Sequence, residues 1–148
     1  MRTVKTPHIT ADIIIELLDY EHRPIVLIER KNPPHGWAIP GGFVDVGERV
    51  EQAAKREALE ETGLSVTLIT LLGLYSAPDR DPRFHTVTAL YVAQAYGQPI
   101  AQDDAKSAII LQIDQLPHRD TLAFDHDLLL HDYLAWRRDG RLTPIREQ

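Results

Sequence analysis

The amino-acid sequence predicts an α/β fold in which a mixed β-sheet lies between helices. Apolar runs rich in Ile and Val alternate with turns, two segments have helical periodicity, and no linker or repeat interrupts the chain. The hydrophobic fraction of 43% and the charged fraction of 26% are ordinary for a globular protein. We therefore expect residues 1–148 to form a single domain.

The first elements of the chain are extended. Residues 9–18 and 25–30 are apolar runs separated by the polar sequence DYEHRP, so they predict two strands with a turn between them. Shorter extended pieces follow at 37–39 and 43–45, divided by a Pro-Gly-Gly turn.

A helix is predicted at residues 50–62. This segment has no Pro or Gly and is dominated by Ala, Glu, Gln, Lys, Arg and Leu, which favour helices. Gly63 supplies the stop at its C-terminal end.

The rest of the chain predicts three further strands and a second helix. The strands are at 64–75, with Gly73 as a candidate bulge, at 84–95 and at 107–113, and an amphipathic helix follows at 125–138. We expect the polar residues 139–148 to form a loose tail.

Three carboxylates lie within one turn of the first predicted helix. Glu57, Glu60 and Glu61 have the spacing i, i+3 and i+4, which places them on one side of the helix. Like charges at this spacing repel by roughly 0.2–0.5 kcal/mol per pair, so a neutralising cation is expected. Oxygen ligands favour a hard cation, so we expect Mg²⁺, with Mn²⁺ as a substitute.

The carboxylates share a helix side with small apolar residues. At 100° per residue, Glu57 and Glu61 lie on the same side as Val50, Ala53 and Ala54, which should pack on the protein body. The alternative is an ordinary surface helix rich in Glu, in which the charges would lie away from this apolar side.

Residues 42–64 match the motif G-x5-E-x7-R-E-U-x-E-E-x-G-U, in which U is aliphatic. The fixed positions are occupied by Gly42, Glu48, Arg56, Glu57, Glu60, Glu61 and Gly63, and the aliphatic positions by Ala58 and Leu64. This motif is the Nudix box, and the chain resembles the Nudix hydrolase family. The resemblance implies an α/β/α sandwich and metal-dependent hydrolysis of nucleoside diphosphates that are linked to another moiety.

The same resemblance assigns roles around the box. The backbone carbonyl of Gly41 is expected to join Glu57, Glu60 and Glu61 as a metal ligand, and Gly42 allows the loop to approach the helix closely. Glu48 and Arg56 are expected to pair and to orient these ligands, the alternative being a direct catalytic role.

The loop 76–85 reads SAPDRDPRFH and resembles the branch of the family that includes ADP-ribose pyrophosphatases. Arg80 and Arg83 suit bidentate contacts with phosphate, and the alternative is a turn held by ion pairs to Asp81. Pro78 and Pro82 are both candidates for the proline that marks this branch.

Two other segments resemble the same branch. The resemblance implies that Asp103 or Asp104, and preferably Asp104, supplies a catalytic carboxylate or a metal ligand, although a solvated turn is the alternative. Phe124 is expected to line the substrate pocket at the start of the last helix, where Asp125 also suits an N-cap. His126 is expected to form hydrogen bonds or lie on the surface, as is His85, since hard cations prefer oxygen.

Three aromatic residues are candidates for stacking on an adenine. Trp37 follows His-Gly and precedes a short extended piece, which suits a pocket rim. Tyr75 and Phe84 flank the Arg-containing loop. Each of the three is equally suited to a place in the core.

Charge and composition limit the partners that we expect. The formal net charge of −6 argues against broad nucleic-acid binding, and the absence of Cys excludes disulfides and thiolate chemistry. The sequence shows no apolar leader or membrane-length run, so we expect a cytoplasmic protein without membrane contact. A homodimer is expected only because the family is often dimeric.

Three functions are compatible with the sequence and its resemblance to the family. The first is Mg²⁺-dependent hydrolysis of ADP-ribose, a small-molecule nucleotide, to AMP and ribose 5-phosphate. The second is house-cleaning hydrolysis of nucleoside triphosphates. The third is non-catalytic sensing of ADP-ribose, as in regulators that add a DNA-binding winged helix, for which we expect the tail 139–148 to leave no room.

Overall fold

The computed structural model describes residues 2–147, which form a seven-stranded sheet and two α-helices. The strands are β1 His8–Leu17, β2 Ile25–Arg30, β3 Trp37–Ala38, β4 Gly41–Phe43, β5 Thr67–Tyr75, β6 Thr86–Ala95 and β7 Ala105–Leu111. The helices are α1 Val50–Thr62 and α2 His126–Asp139, and one 3-10 turn covers Arg119–Thr121. No helix within this range is long and apolar enough to cross a membrane.

The sheet is mixed, as predicted. Its main order is β3-β2-β1-β6-β5, with β4 added to β1 and β7 added to β2. β1 and β6 run parallel along their whole length, whereas the other pairs are antiparallel. The central strands are therefore β1 and β6, which are buried from both sides.

Alternate residues of β1 face two separate apolar cores. Ile13 and Ile15 pack with Ala53 and Ala54 of α1. Ile14 faces the opposite way and joins the cluster that contains Leu129 and other apolar residues of α2. Because successive side chains of a strand point to opposite faces, the consecutive Ile residues make both faces of the sheet apolar. One helix packs on each face, which gives an α/β/α sandwich.

Several predicted boundaries differ from the observed ones. The first helix and the second strand match the prediction, but the extended piece predicted at 43–45 lies at 41–43. β5 begins at Thr67 rather than at 64, since Leu64 and Val66 pack in the α1-side core before the strand pairs. The ladder of β5 with β6 shifts register between Leu71 and Gly73, where the bulge was expected.

The C-terminal tail is anchored at two points, which corrects the prediction of a loose tail at 139–148. Arg146 donates two hydrogen bonds, of 2.7 and 2.8 Å, to the buried carboxylate of Asp132. Thr143 donates its hydroxyl proton to the carbonyl of Leu72 at 2.8 Å. Between residues 140 and 147 the described chain has no helix or strand, so tertiary contacts hold this segment, and a local sequence pattern does not show such contacts.

Candidate active site

A cavity of about 370 Å³ opens beside α1, at the end of the sheet where β4 meets the helix. Its volume lies within the range of small-molecule sites. The expected residues that line it are Gly41, Gly42, Arg56, Glu57, Glu60, Glu61, Arg80, Arg83, Asp104 and Phe124. The folded chain therefore brings most of the sequence-derived candidates to one place.

Glu61 is the most buried of the three carboxylates, with 3% of its surface exposed. Its Oε2 accepts a hydrogen bond of 3.1 Å from the backbone N–H of Gly41. Burial, followed by repulsion from Glu57, raises the pKa of Glu61 to about 9. Because ionisation of this buried carboxyl is unfavourable, a cation bound next to it would stabilise the charged form, so Glu61 is a strong candidate for a metal ligand.

Arg56 contacts the other box carboxylates, so it supplies part of the neutralising charge for which a cation alone was expected. It donates to Glu48 at 2.8 and 2.9 Å, to Glu57 at 2.9 Å and to Glu60 at 3.2 Å. It also donates to the carbonyl of Phe43 in β4 at 2.9 Å. Hydrogen bonds from Arg56 lower the pKa of Glu48 to about 2. Arg56 thus ties the loop before α1 to the helix.

The donor set fits a hard cation. Glu57, Glu60, Glu61 and the Gly41 carbonyl offer only oxygen, and a Cβ on Gly42 would overlap the Glu57 carboxylate. Burial also raises the pKa of Glu57. Among residues 2–147 no three acidic or His side chains stand ready around one metal position. Arg56 binds one carboxylate oxygen of Glu57 and one of Glu60, so the second oxygen of each would hold the ion.

Arg80 holds the fold at the back of the cavity. Its side chain is 3% exposed, and it donates to both carboxylate oxygens of Asp125, at 2.7 and 3.0 Å, and to Thr86 Oγ1 at 2.7 Å. All three guanidinium nitrogens are used, which argues against the expected substrate contact. Asp125 occupies the N-cap position of α2 but makes no side-chain cap, since it pairs with Arg80.

Arg83 is the more available arginine of the loop. It donates from Nε and Nη2 to Asp81 at 3.1 and 2.9 Å, so the expected ion-paired turn is present. Its side chain is 33% exposed and lines the cavity. Within the described chain Nη1 has no hydrogen-bond acceptor, so it is placed to bind an anion.

The aromatic candidates divide between core and cavity. Trp37 was expected at the pocket rim, but it packs in the α2-side core, because β3 directs it away from the cavity. Tyr75 lies in the same core and donates its hydroxyl to Asp132 at 2.8 Å. Phe124 lines the cavity, while Phe84 lies outside it and is 41% exposed.

The loop with the paired aspartates reaches the cavity from β7. Asp103 and Asp104 are both exposed and both line the cavity. Lys31 fixes the loop by donating its ammonium to the carbonyl of Asp103 at 2.6 Å and its backbone N–H to that of Asp104 at 3.1 Å. Asp104 therefore stands where a carboxylate could serve the reaction.

The histidines make hydrogen bonds, and the marker prolines lie on the surface. His85 contacts the Ser76 carbonyl through Nε2 at 2.9 Å. His126 is buried, and its Nδ1 accepts the Ile39 N–H at 3.0 Å. Pro78 and Pro82, the two candidates for the branch-marking proline, are both exposed and outside the cavity lining.

Asp12 and Arg30 are among the cavity residues that sequence reasoning missed. Asp12 is buried in the Ile-rich β1 and accepts from Thr88 Oγ1 at 2.6 Å, with His126 Nε2 3.7 Å away. Burial opposes its charge, but His126 and Thr88 lower the pKa of Asp12 below its ordinary value. Arg30 lies 4.8 Å from the Phe124 ring. A carboxylate within an apolar run is itself a signal, because it needs partners.

The amino-acid sequence of the chain is similar to those of known proteins. The sequence profile of the NUDIX domain matches residues 6–133. The chain is 44% identical over 134 residues to an ADP-ribose pyrophosphatase of Methanocaldococcus jannaschii, covering 88% of this chain and 75% of that enzyme. It is 36% identical to an ADPR responsive transcriptional repressor of Acinetobacter baylyi, covering 95% of this chain but 58% of the repressor.

Solved structures show the same fold. A MutT/nudix family protein from Enterococcus faecalis has a TM-score of 0.78 at 30% identity, covering 93% of this chain and 65% of that one. The NUDIX domain of Shewanella oneidensis NrtR, complexed with ADP ribose, has a TM-score of 0.73 at 26% identity, with 89% of each chain covered. The chain spans less than two thirds of the length of the repressor and of the E. faecalis protein.

Proposed function

Because the chain belongs to the NUDIX family and is a Nudix hydrolase, we propose that it hydrolyses the pyrophosphate bond of ADP-ribose and releases AMP and ribose 5-phosphate. The observation that carries this proposal is the buried Glu61 beside Glu57, in a cavity that Arg83 also lines. The 44% identity to an ADP-ribose pyrophosphatase supports the choice of substrate.

Each side chain has a role in the proposed reaction. Glu57, Glu61 and the Gly41 carbonyl would hold Mg²⁺, with Mn²⁺ as a substitute, and Glu60 would bind directly or through water. When bound, the ion neutralises phosphate charge and lowers the pKa of water. Attack by water forms one P–O bond and breaks the bridging P–O bond. Asp104 would accept the water proton.

Arg56 and Glu48 act through the ligands rather than on the substrate. Their hydrogen bonds fix the loop before α1 and the side chain of Glu57. Arg83 would bind the diphosphate through its free Nη1, because the planar guanidinium suits phosphate oxygens. The substrate is thereby held between the carboxylates of α1 and the loop before β6.

A second candidate function is non-catalytic binding of ADP-ribose. The similarity to an ADPR responsive repressor favours it, since that relative is 36% identical over most of this chain. The complete set of box glutamates favours catalysis instead. The two functions share the pocket and differ in whether the bound nucleotide is cleaved.

A substrate panel with Mg²⁺ separates these possibilities. It comprises ADP-ribose, NADH, diadenosine polyphosphates, CTP and oxidised dGTP, with release of the nucleoside monophosphate and its co-product from each substrate as the readout. We expect the highest kcat/KM for ADP-ribose. Binding of ADP-ribose without cleavage would support the sensor, and a preference for a free triphosphate would support house-cleaning hydrolysis.

A further inference from the structure

Three aromatic rings lie together at the mouth of the cavity and form what we call the aromatic platform: His8, Phe43 and Phe84. The centroid of the His8 ring is 5.8 Å from that of Phe43 and 4.5 Å from that of Phe84, and the two Phe rings are 5.9 Å apart. Phe43 is 37% exposed and Phe84 is 41% exposed. The platform therefore presents ring surface to solvent beside the catalytic cavity.

The platform is not part of the core. Among the described residues neither Phe43 nor Phe84 belongs to the apolar clusters under α1 and α2. The rings come from the start of β1, from β4 and from the loop before β6. Packing of the sheet therefore leaves this group of rings uncovered on one side, and burial by a ligand would be favourable.

Arg83 joins the platform to the cavity. Its guanidinium carbon lies 5.5 Å from the Phe43 ring centroid and 5.3 Å from that of Phe84. The same carbon is 5.4 Å from the ring of Phe124 inside the cavity. Phe43 and Arg83 both line the cavity, so rings and anion-binding site form one continuous surface. A ligand with a flat aromatic part next to a diphosphate matches this order.

We propose that the aromatic platform binds the nucleobase of the substrate by stacking, while Arg83 contacts the adjoining diphosphate. The inference rests on the proposed function and adds the place of the base. Of the three aromatic residues that the sequence offered for stacking, Phe84 belongs to the platform, whereas Trp37 and Tyr75 pack in the α2-side core. Base stacking on aromatic side chains tolerates different bases, because every base has a π-face. The platform thus selects for a nucleoside part and not for adenine alone.

The test compares two diphosphates that cannot be hydrolysed and differ in the nucleoside. Titration calorimetry with Mg²⁺ measures the Kd of α,β-methylene-ADP and of methylenediphosphonate for wild type, Phe43→Ala, Phe84→Ala and Phe84→Tyr. Tyr96→Ala is the matched control, because Tyr96 is an exposed aromatic outside the cavity.

We expect each Phe→Ala change to weaken α,β-methylene-ADP by about 10-fold and to leave methylenediphosphonate unchanged. Phe84→Tyr and Tyr96→Ala should keep the wild-type values. Unchanged binding of α,β-methylene-ADP in both Ala variants overturns the inference. An equal loss for both ligands also overturns it, since the rings would then only support the loop. Because neither ligand is cleaved, this result is independent of whether ADP-ribose is the substrate.

Discussion

Glu61 and Glu60 differ in surroundings although they are neighbours in the chain. Glu61 is 3% exposed and accepts a hydrogen bond from the backbone N–H of Gly41, whereas the side chain of Glu60 is 40% exposed and pairs with Arg56. We expect Glu57→Gln and Glu61→Gln each to lower kcat for ADP-ribose by about 100-fold or more, because each removes a charged group from the reacting centre. Glu60→Gln should cost less.

Steady-state kinetics with saturating Mg²⁺ checks this prediction. Glu51→Gln is the matched control, since Glu51 is an exposed residue of the same helix outside the cavity. Equal kcat values for Glu61→Gln and the control would show that Glu61 is not a ligand of the metal.

Arg80 and Arg83 lie in one loop but carry different roles. Arg83→Ala should lower kcat/KM for ADP-ribose by roughly 10- to 150-fold, the effect of one charge-assisted hydrogen bond of about 1.5–3 kcal/mol. Its Tm should fall less than that of Arg80→Ala, because the buried Asp81 carboxylate keeps its hydrogen bond from the backbone N–H at position 83. Arg83→Lys should restore little, because an ammonium lacks the planar fork.

Arg80→Ala should instead destabilise the fold by about 3 kcal/mol, because it leaves the Asp125 carboxylate without its partner in a mostly buried position. Thermal unfolding and kinetics on the same two variants separate the roles. If Arg83→Ala unfolds early and keeps its kcat/KM, the assignment of the two arginines is wrong.

At the scale of elements, α1 makes the metal-free protein sensitive to pH. Glu61 has an ordinary pKa of 4.5 in the unfolded chain and about 9 in the fold, because of burial and then the nearby Glu57. The folded state therefore binds this proton more tightly than the unfolded chain does. The associated stability is complete below pH 4.5 and is lost as the pH rises to about 9.

We predict that the free energy of unfolding of metal-free protein falls between pH 5 and pH 9, and falls much less in Glu61→Gln. Urea unfolding at several pH values in EDTA measures it. Glu48 does not interfere, since its lowered pKa of about 2 confines its effect to more acidic solution. If the free energy of unfolding falls equally with pH in the wild type and in Glu61→Gln, Glu61 is not the origin of the pH dependence.

The same helix shows what local sequence can and cannot predict. Its bounds and its buried Ala side follow from composition and period, and both match the structure. Its electrostatics do not, because Arg56 lies one residue before Glu57 yet also reaches Glu48 and Phe43 across the turn. The spacing of charges predicts repulsion, but tertiary geometry decides which cation relieves it.

Residues outside the motif depend still more on tertiary contacts. Trp37 suits a pocket rim by its neighbours in sequence, but the pairing of β3 with β2 directs it into the α2-side core. Asp125 has the residue type of an N-cap, but Arg80, which is distant in sequence, competes for its carboxylate. Such outcomes depend on strand pairing and long-range ion pairs, which a single sequence does not show.

At the scale of the whole molecule, the fold concentrates charge at one end of the sheet. The chain has a net charge of −6, and the carboxyl groups of Glu57, Glu60, Glu61 and Asp104 line the cavity. Arg30, Arg56, Arg80 and Arg83 also line it. A bound divalent cation makes the net charge of the cavity more positive, which favours an anionic substrate. The metal should therefore control both binding and turnover.

Release of AMP from ADP-ribose measures metal-dependent cleavage at the α1 carboxylates directly. Wild-type protein is assayed with Mg²⁺, with excess EDTA, and with Mg²⁺ restored, alongside Glu57→Gln. We predict AMP and ribose 5-phosphate in equal amounts with Mg²⁺, loss of turnover in EDTA, recovery on restoration, and a rate about 100-fold lower for the variant. Full turnover in excess EDTA, or unchanged turnover by Glu57→Gln, would contradict the account.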